Sequence, residues 1–228
     1  ARRLIETWPC SHLLCDEVGL GKTIEAGLAI RSLYLSGLVE RVLITPPAGL
    51  TKQWQREMAS KFFLPFARAL TGSEVRHEFI FPIAEVRQET GVYVPNLSIV
   101  STGILTRKER RPDLQSADAF DIALVDEAHY ARRKNPKNGA RSHPRFGGLY
   151  QVIRDHLRKR CASLWLATAT PMQLDWIEVF DLLQLMNRVG PFQLDPSLTW
   201  AYYEALGALA RGQDINDLEW EFLRRSID

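Results

Sequence analysis

The fold class is decided by HLLCDEVGLGKTIEAGLAI, residues 12–30. His12 to Cys15 make a short apolar strand candidate, and DEVGLGKT at 16–23 is a glycine-rich turn. The residues from Lys22 onward then repeat with helical spacing until Gly37, a helix stop. A strand, a glycine-rich turn ending in Gly-Lys-Thr and a helix start form an anion cradle, because backbone N–H groups and the positive end of the helix dipole face the same point. Gly19 and Gly21 let the backbone approach a ligand with no Cβ in the way. Glu17, Val18, Gly19, Leu20, Gly21, Lys22, Thr23 and Ile24 are therefore the candidate phosphate-binding residues. In this reading Lys22 reaches the β- and γ-phosphates of a nucleotide and the Thr23 hydroxyl ligates Mg²⁺. Asp16 stands where such loops usually have their first glycine.

Working outward, short apolar runs recur at 41–45 (RVLIT), 66–70 (FARAL), 97–101 (LSIVS), 120–125 (FDIALV) and 163–168 (SLWLAT). Several are apolar at consecutive positions, as parallel strands covered on both faces are. Helical spacing at 22–36 places Ile24, Leu28 and Leu35 near one face, and 50–61 and 174–187 read as further helices. Strand alternating with helix predicts an α/β fold, a parallel sheet sandwiched by helices, with its ligand outside the carboxyl ends of the strands. Two basic, Pro- or Gly-containing stretches, 107–118 and 132–148, are expected to be loops. From about residue 195 the chain turns helical and acidic, a helical appendage to the unit at 1–194.

Two further strand ends carry chemistry. DIALVDEAHY at 121–130 puts adjacent carboxylates at the end of a buried strand, where they are costly to leave unpaired. A divalent cation and a water explain both: Asp126 holds Mg²⁺, and Glu127 orients and deprotonates the attacking water. His129 is either structural or a relay of nucleotide state. LWLATATPMQ at 164–173 ends in small hydroxyl residues, of which Thr168 and Thr170 can bridge neighbouring loops as a coupling element. Taken alone, it reads more readily as a strand end before a proline turn.

Composition narrows the rest. The 228 residues, 46% hydrophobic with a net charge of +2, suffice for a buried core and exclude a disordered tail. Three cysteines without a C-x-x-C pair suggest neither a zinc ribbon nor a disulfide framework. With no apolar signal segment and no run long enough to cross a bilayer, the expectation is a cytoplasmic chain with no membrane partner. Charge is uneven: residues 132–160 hold ten Lys/Arg and one acid, while 171–228 hold four and ten. The start at Ala1 and the charged helical end suggest a piece of something longer.

DEVGLGKT, LITPPAGLTKQW at 43–54, SIVSTGIL at 98–105, VDEAH at 125–129 and TATPMQ at 168–173 occur in the order and spacing of motifs I, Ia, Ib, II and III of superfamily-two helicases. Asp16-Glu17, Gln53-Trp54 and the T-x-T-P-x-Q series resemble the Swi/Snf-type branch, ATP-driven translocases on double-stranded DNA. Ala169 and Leu174, where most eukaryotic members have Gly and Asn, resemble bacterial and archaeal members, among them the ATPase that recycles RNA polymerase. The resemblance implies a first RecA-like lobe that binds ATP and Mg²⁺ and faces a second lobe carrying arginines. No Q-x-x-G-R-x-x-R segment occurs before Asp228, so the second lobe is expected to lie outside this chain, which alone should hydrolyse ATP poorly.

The same resemblance assigns Pro47, Gly49, Lys52, Ser101 and Thr102 to the DNA backbone, contacts that position without reading sequence. The basic run Arg132, Arg133, Lys134, Lys137, Arg141 and Arg145 points to a polyanion partner or to a solvated loop. Trp8, Trp54, Trp165 and Trp176 fit core packing better than base stacking. A protein cargo such as RNA polymerase or a defence-complex subunit is compatible with the branch. Rival readings are a DEAH-type strand-separating helicase and a nucleotide-gated binding module.

Overall fold

The computed structural model describes residues 1–15, 21–69, 74–78, 84–88, 91–135, 143–170, 177–186 and 196–227. In chain order its elements are α1 (Arg2–Glu6), β1 (His12–Leu14), α2 (Lys22–Leu35), β2 (Val42–Thr45), α3 (Thr51–Phe62), β3 (Ala67–Ala69), β4 (Glu74–Glu78), β5 (Ala84–Gln88) and β6 (Leu97–Ile99). There follow α4 (Thr102–Leu105), α5 (Arg111–Ser116), β7 (Phe120–Asp126), α6 (Gly148–Asp155), β8 (Cys161–Ala167), α7 (Ile177–Met186), α8 (Pro196–Ala210) and α9 (Asp217–Ile227).

One sheet runs in the order β1-β8-β7-β2-β6-β3-β4-β5. The six strands from β1 to β3 are parallel, and β4 and β5 extend the sheet as an antiparallel ribbon. Period-two alternation sorts the side chains. Val42, Ile44, Ile122, Leu124, Trp165 and Ala167 share one core with Ile30 and Leu33 of α2 and Met58 of α3. Leu43, Ala123, Val125, Leu164 and Leu166 share the opposite core with Val152 of α6 and Leu185 of α7. Both faces are covered, which is why these strands read as unbroken apolar runs. All six expected strands are present within a residue or two, giving the RecA-like α/β sandwich.

One expectation fails for a physical reason, and a second is completed by the structure. Residues 107–118 are not a loop: Lys108–Arg110 form a 3-10 turn leading into α5. Pro112 sits in the first turn of α5, where its missing N–H costs nothing, and buried Leu114 anchors the helix. In α2, Ile24, Leu28 and Leu35 do lie along one side, but it is the solvent side; the buried residues are Ala26, Gly27, Ala29, Ile30 and Leu33. Small residues bring α2 close to its neighbours, and a Cβ on Gly27 would lie 2.3 Å from the Phe62 ring of α3.

Beyond α7 the helices pack in sequence, α8 against α7 and α9 against α8. A reciprocal capping box starts α9: Glu219 N–H donates to Asn216 Oδ1 and Asn216 N–H to Glu219 Oε2, each at 2.9 Å. Among the described residues no helix is long and apolar enough to cross a membrane.

Candidate active site

The register aligns the ends of the parallel strands. Leu14 of β1 pairs with Ala167 of β8, which pairs with Asp126 of β7; Val125 pairs with Thr45 of β2, and Ile44 with Ile99 of β6. At about 4.8 Å between strands, the carboxyl ends of β1 and β7 lie roughly 10 Å apart with β8 between them. Five segments far apart in sequence therefore leave the sheet along one edge. Backbone hydrogen bonds lace that edge: Thr168 N–H to Leu14 O at 2.9 Å, Val100 N–H to Ile44 O at 3.0 Å and Thr102 N–H to Pro46 O at 2.9 Å.

At the cradle, Gly21 takes the left-handed conformation, φ +90°, and caps α2 without a side chain. The first helical bond runs from Glu25 N–H to Gly21 O, so the amides of Lys22, Thr23 and Ile24 precede the ladder at the positive end of a 14-residue helix. Glu17, Val18, Gly19 and Leu20 lie outside the described residues. A cleft of about 470 Å³ opens beside the cradle, lined among others by Arg3, His12, Cys15, Glu25 and Met186.

At the end of β7, Asp126 is fixed through both oxygens. Its Oδ1 accepts the Glu127 amide at 2.9 Å and its Oδ2 the indole N–H of Trp54 at 2.8 Å. Trp54 is buried, as expected of a core residue, but its polar edge serves the site, a hydrogen bond across 72 residues that nothing local in the sequence signals. Glu127 is one of two non-glycine residues at positive φ among those described, at φ 51° and ψ 46°. Left-handed backbone at a residue with a Cβ costs about 1–2 kcal/mol and is found where geometry outweighs stability. The turn frees the Glu127 side chain from the strand direction and leaves it partly exposed.

His129 Nδ1 lies 3.1 Å from Glu127 Oε2 and 3.0 Å from Thr168 Oγ1. A carboxylate only accepts, so the neutral imidazole is assigned its proton on Nδ1, donating toward Glu127. Burial holds the His129 pKa below its ordinary value, and the Glu127 carboxylate offsets part of that shift. Thr168, fully buried, accepts the Thr170 amide at 3.1 Å. The three coupling candidates thus form one continuous chain from Glu127 to the loop after β8.

The basic run divides. Arg133 is buried and grips Asp181 of α7 bidentately, Nε to Oδ2 and Nη2 to Oδ1 at 2.7 Å each. It therefore does not present its charge to a polyanion, which corrects its assignment as a DNA contact. Arg132 Nη1 donates to buried Glu178 at 3.1 Å and is itself one-third exposed. Lys134 and Arg145 are exposed and adjacent, since Lys134 N–H donates to Arg145 O at 2.7 Å. Lys137 and Arg141 lie outside the described residues. Two acids three apart in the apolar helix IEVFDLLQLM were the signal that buried cations had to meet them.

Of the other nucleic-acid candidates, Gly49 and Lys52 are exposed and Pro47 and Thr102 are half-buried, all along the strand-end edge. Ser101 is buried, and its hydroxyl accepts the Ile104 amide at 3.2 Å as the cap of α4. Its side chain is thereby committed within the fold.

Residues 4–195 match the SNF2-related domain. The chain belongs to the SNF2-related family. Over 187 residues it is 28% identical to the uncharacterized ATP-dependent helicase YqhH of Bacillus subtilis, covering 82% of this chain and 28% of that protein. Over 175 residues it is 37% identical to the RNA polymerase-associated protein RapA of Vibrio campbellii, covering 77% and 16%. The SNF2-related chain thus spans less than a third of each of these relatives. In fold it resembles the Sulfolobus solfataricus SWI2/SNF2 ATPase core in complex with dsDNA, with TM-score 0.58 and 17% identity over 97% of this chain and 40% of that one.

The residues present suit Mg²⁺. It prefers oxygen donors, keeps several waters and typically takes only one or two protein ligands beside substrate phosphates. The Asp126 carboxylate, held at both oxygens yet with lone pairs left, is a donor of that kind, and the Thr23 hydroxyl is of the same oxygen class.

Proposed function

We propose that this SNF2-related domain is the ATP-binding lobe of a translocase on double-stranded DNA, hydrolysing ATP to move along or remodel protein–DNA complexes. The observation that carries the reading is the alignment on one sheet edge of the α2 cradle, the Asp126–Glu127 turn and the Pro47–Lys52 segment. The α2 amides and Lys22 bind the phosphates, Lys22 neutralising charge that grows on the γ-phosphoryl oxygens. The cleft beside Cys15 and Glu25 is of a size to receive the base. Glu127, turned out of the strand and steadied by His129, accepts the proton of the water that attacks the γ-phosphorus in line. Thr23 and Asp126 hold Mg²⁺, which when bound offsets charge on the transferring phosphate. A second lobe closing on this edge supplies the remaining cations, so the chain by itself turns over slowly.

Duplex DNA lies along the Pro47–Lys52 and Thr102 edge, where Gly49 and Lys52 are exposed. A Cβ on Gly49 would meet nothing within 4 Å, so the fold does not require glycine there; its absence leaves the backbone open to a phosphate. A cytoplasmic setting and a protein cargo belong to the same proposal, a defence-complex subunit or RNA polymerase, and for the latter the support is the name of the RNA polymerase-associated RapA relative. The test is ATP turnover by this domain joined to a second lobe, with duplex, single-stranded DNA, RNA or none added and Glu127→Gln as blank. Stimulation by duplex that the blank lacks supports the translocase. Response to single strands alone favours a strand-separating helicase, and no nucleic-acid response favours a nucleotide-gated binding module. Neutralising Lys52, Lys134 and Arg145 should lower the slope of log affinity against log salt by about 2–3.

A further inference from the structure

Trp54 joins two parts of the molecule that the proposed function keeps separate. Its indole N–H is bonded to Asp126 Oδ2 across 72 residues of sequence, yet it stands on the first turn of α3, two residues after exposed Lys52. That turn is tightly tied. Thr51 Oγ1 donates to Ala48 O at 3.0 Å, locking the helix start to the Pro47–Leu50 segment. Farther along, Gln55 Nε2 donates to Phe66 O at 2.9 Å while its Oε1 accepts Arg68 Nε at 3.0 Å, so α3 is also fixed to β3. With Trp54 buried, a displacement of the first turn moves the indole and, through it, the carboxylate.

We propose that Trp54 is a positioning residue that holds Asp126 in its metal-binding orientation and transmits duplex contact at the start of α3 to that carboxylate. The inference rests on the nucleotide and duplex reading above. Partners that orient metal ligands commonly contribute 10–100-fold to metal affinity or activity. With the indole on one carboxylate oxygen and the Glu127 amide on the other, the remaining lone pairs of both oxygens would be available to the cation. Phenylalanine at the same position keeps the aromatic wedge and removes only the donor.

The experiment measures the Mg²⁺ concentration that half-saturates tight binding of a fluorescent ADP, with and without a mixed-sequence duplex. It compares the unmodified chain, Trp54→Phe and Asp126→Asn. The unmodified chain should need less Mg²⁺ when duplex is present. Trp54→Phe should need about tenfold more, with metal-free ADP affinity unchanged, and should lose the duplex effect. A Trp54→Phe requirement within twofold of the unmodified chain, or a retained duplex shift, overturns the inference while the nucleotide reading stands. If the unmodified chain and Asp126→Asn are equally indifferent to Mg²⁺, the metal reading itself fails and takes the inference with it. Should Trp54→Phe not fold, the indole ¹⁵N–¹H resonance of Trp54 in the unmodified chain decides. It should move on adding Mg²⁺ with ADP and, separately, on adding duplex; no movement with duplex refutes the transmission.

Discussion

Replacing Arg133 with alanine separates a buried ion pair from a DNA contact. Arg133 and Asp181 have side chains only 3% and 1% exposed and are joined by two 2.7 Å bonds, with the guanidinium also lying over the Phe146 ring at 5.9 Å. Removing one member of such a pair leaves a charge without water or partner, a loss of about 3–5 kcal/mol. A domain's whole stability is about 5–15 kcal/mol, so Arg133→Ala should be severely weakened. In a urea melt followed by tryptophan fluorescence, the midpoint should fall by about 1–2 M with the slope unchanged. Arg133→Met with Asp181→Leu should recover most of the loss, because removing both charges removes the desolvation cost. The pH dependence gives an internal check. Burial pushes the Asp181 carboxyl up and Arg133 opposes that shift. Without the arginine the folded-state pKa rises further above the unfolded value of about 3.9, so the charge part of the loss fades below about pH 4 and grows as pH rises. If Arg133→Ala melts within about 0.5 kcal/mol of the unmodified chain and instead loses duplex affinity, the buried-pair argument is wrong.

Three other outcomes follow from particular geometries. Gly27→Ala, which in an open helix would gain up to about 1 kcal/mol, should here lose about 1–2 kcal/mol because its Cβ meets the Phe62 ring; adding Phe62→Leu should restore the midpoint. At position 127 the order of small residues should invert, Glu127→Gly melting above Glu127→Ala by about 1 kcal/mol, since φ there is 51°; equal midpoints would contradict the left-handed turn. His129 has a folded pKa below its unfolded value of about 6.5, so its stabilising share is complete above that pH and is lost as pH falls through and below it. Urea melts across about pH 5–8 should therefore steepen with acid in the unmodified chain and flatten in His129→Gln.

Much of the fold was legible because each signal was local. The strands at 42–45, 97–99, 120–126 and 161–167 are short apolar runs bounded by turn residues, and the cradle follows β1 directly. Spacing alone places Ile24, Leu28 and Leu35 on one side of α2 without saying which side is buried; close approach to α3 decides it by selecting Ala26, Gly27 and Ala29. Residues 107–118 look like a loop in sequence because Pro112 marks a break, although a first helical turn accepts proline.

The candidate site divides the same way. Lys22, Thr23, Asp126, Glu127 and Thr168 are visible in sequence because each belongs to a motif whose chemistry needs its residue types at a fixed spacing. Arg133 and Lys134, adjacent and alike in sequence, have opposite fates: one meets Asp181 inside the fold and the other faces solvent. Trp54 has an aromatic body that burial explains, so nothing local shows that its N–H reaches a carboxylate 72 residues away. The sequence by itself determined the order of strands and helices and the residue types of the cradle and the acidic turn, since these depend on neighbours along the chain. Which side chains meet was decided only by the tertiary structure, because strand order and register, set by packing on both faces of the sheet, bring distant residues within hydrogen-bonding distance.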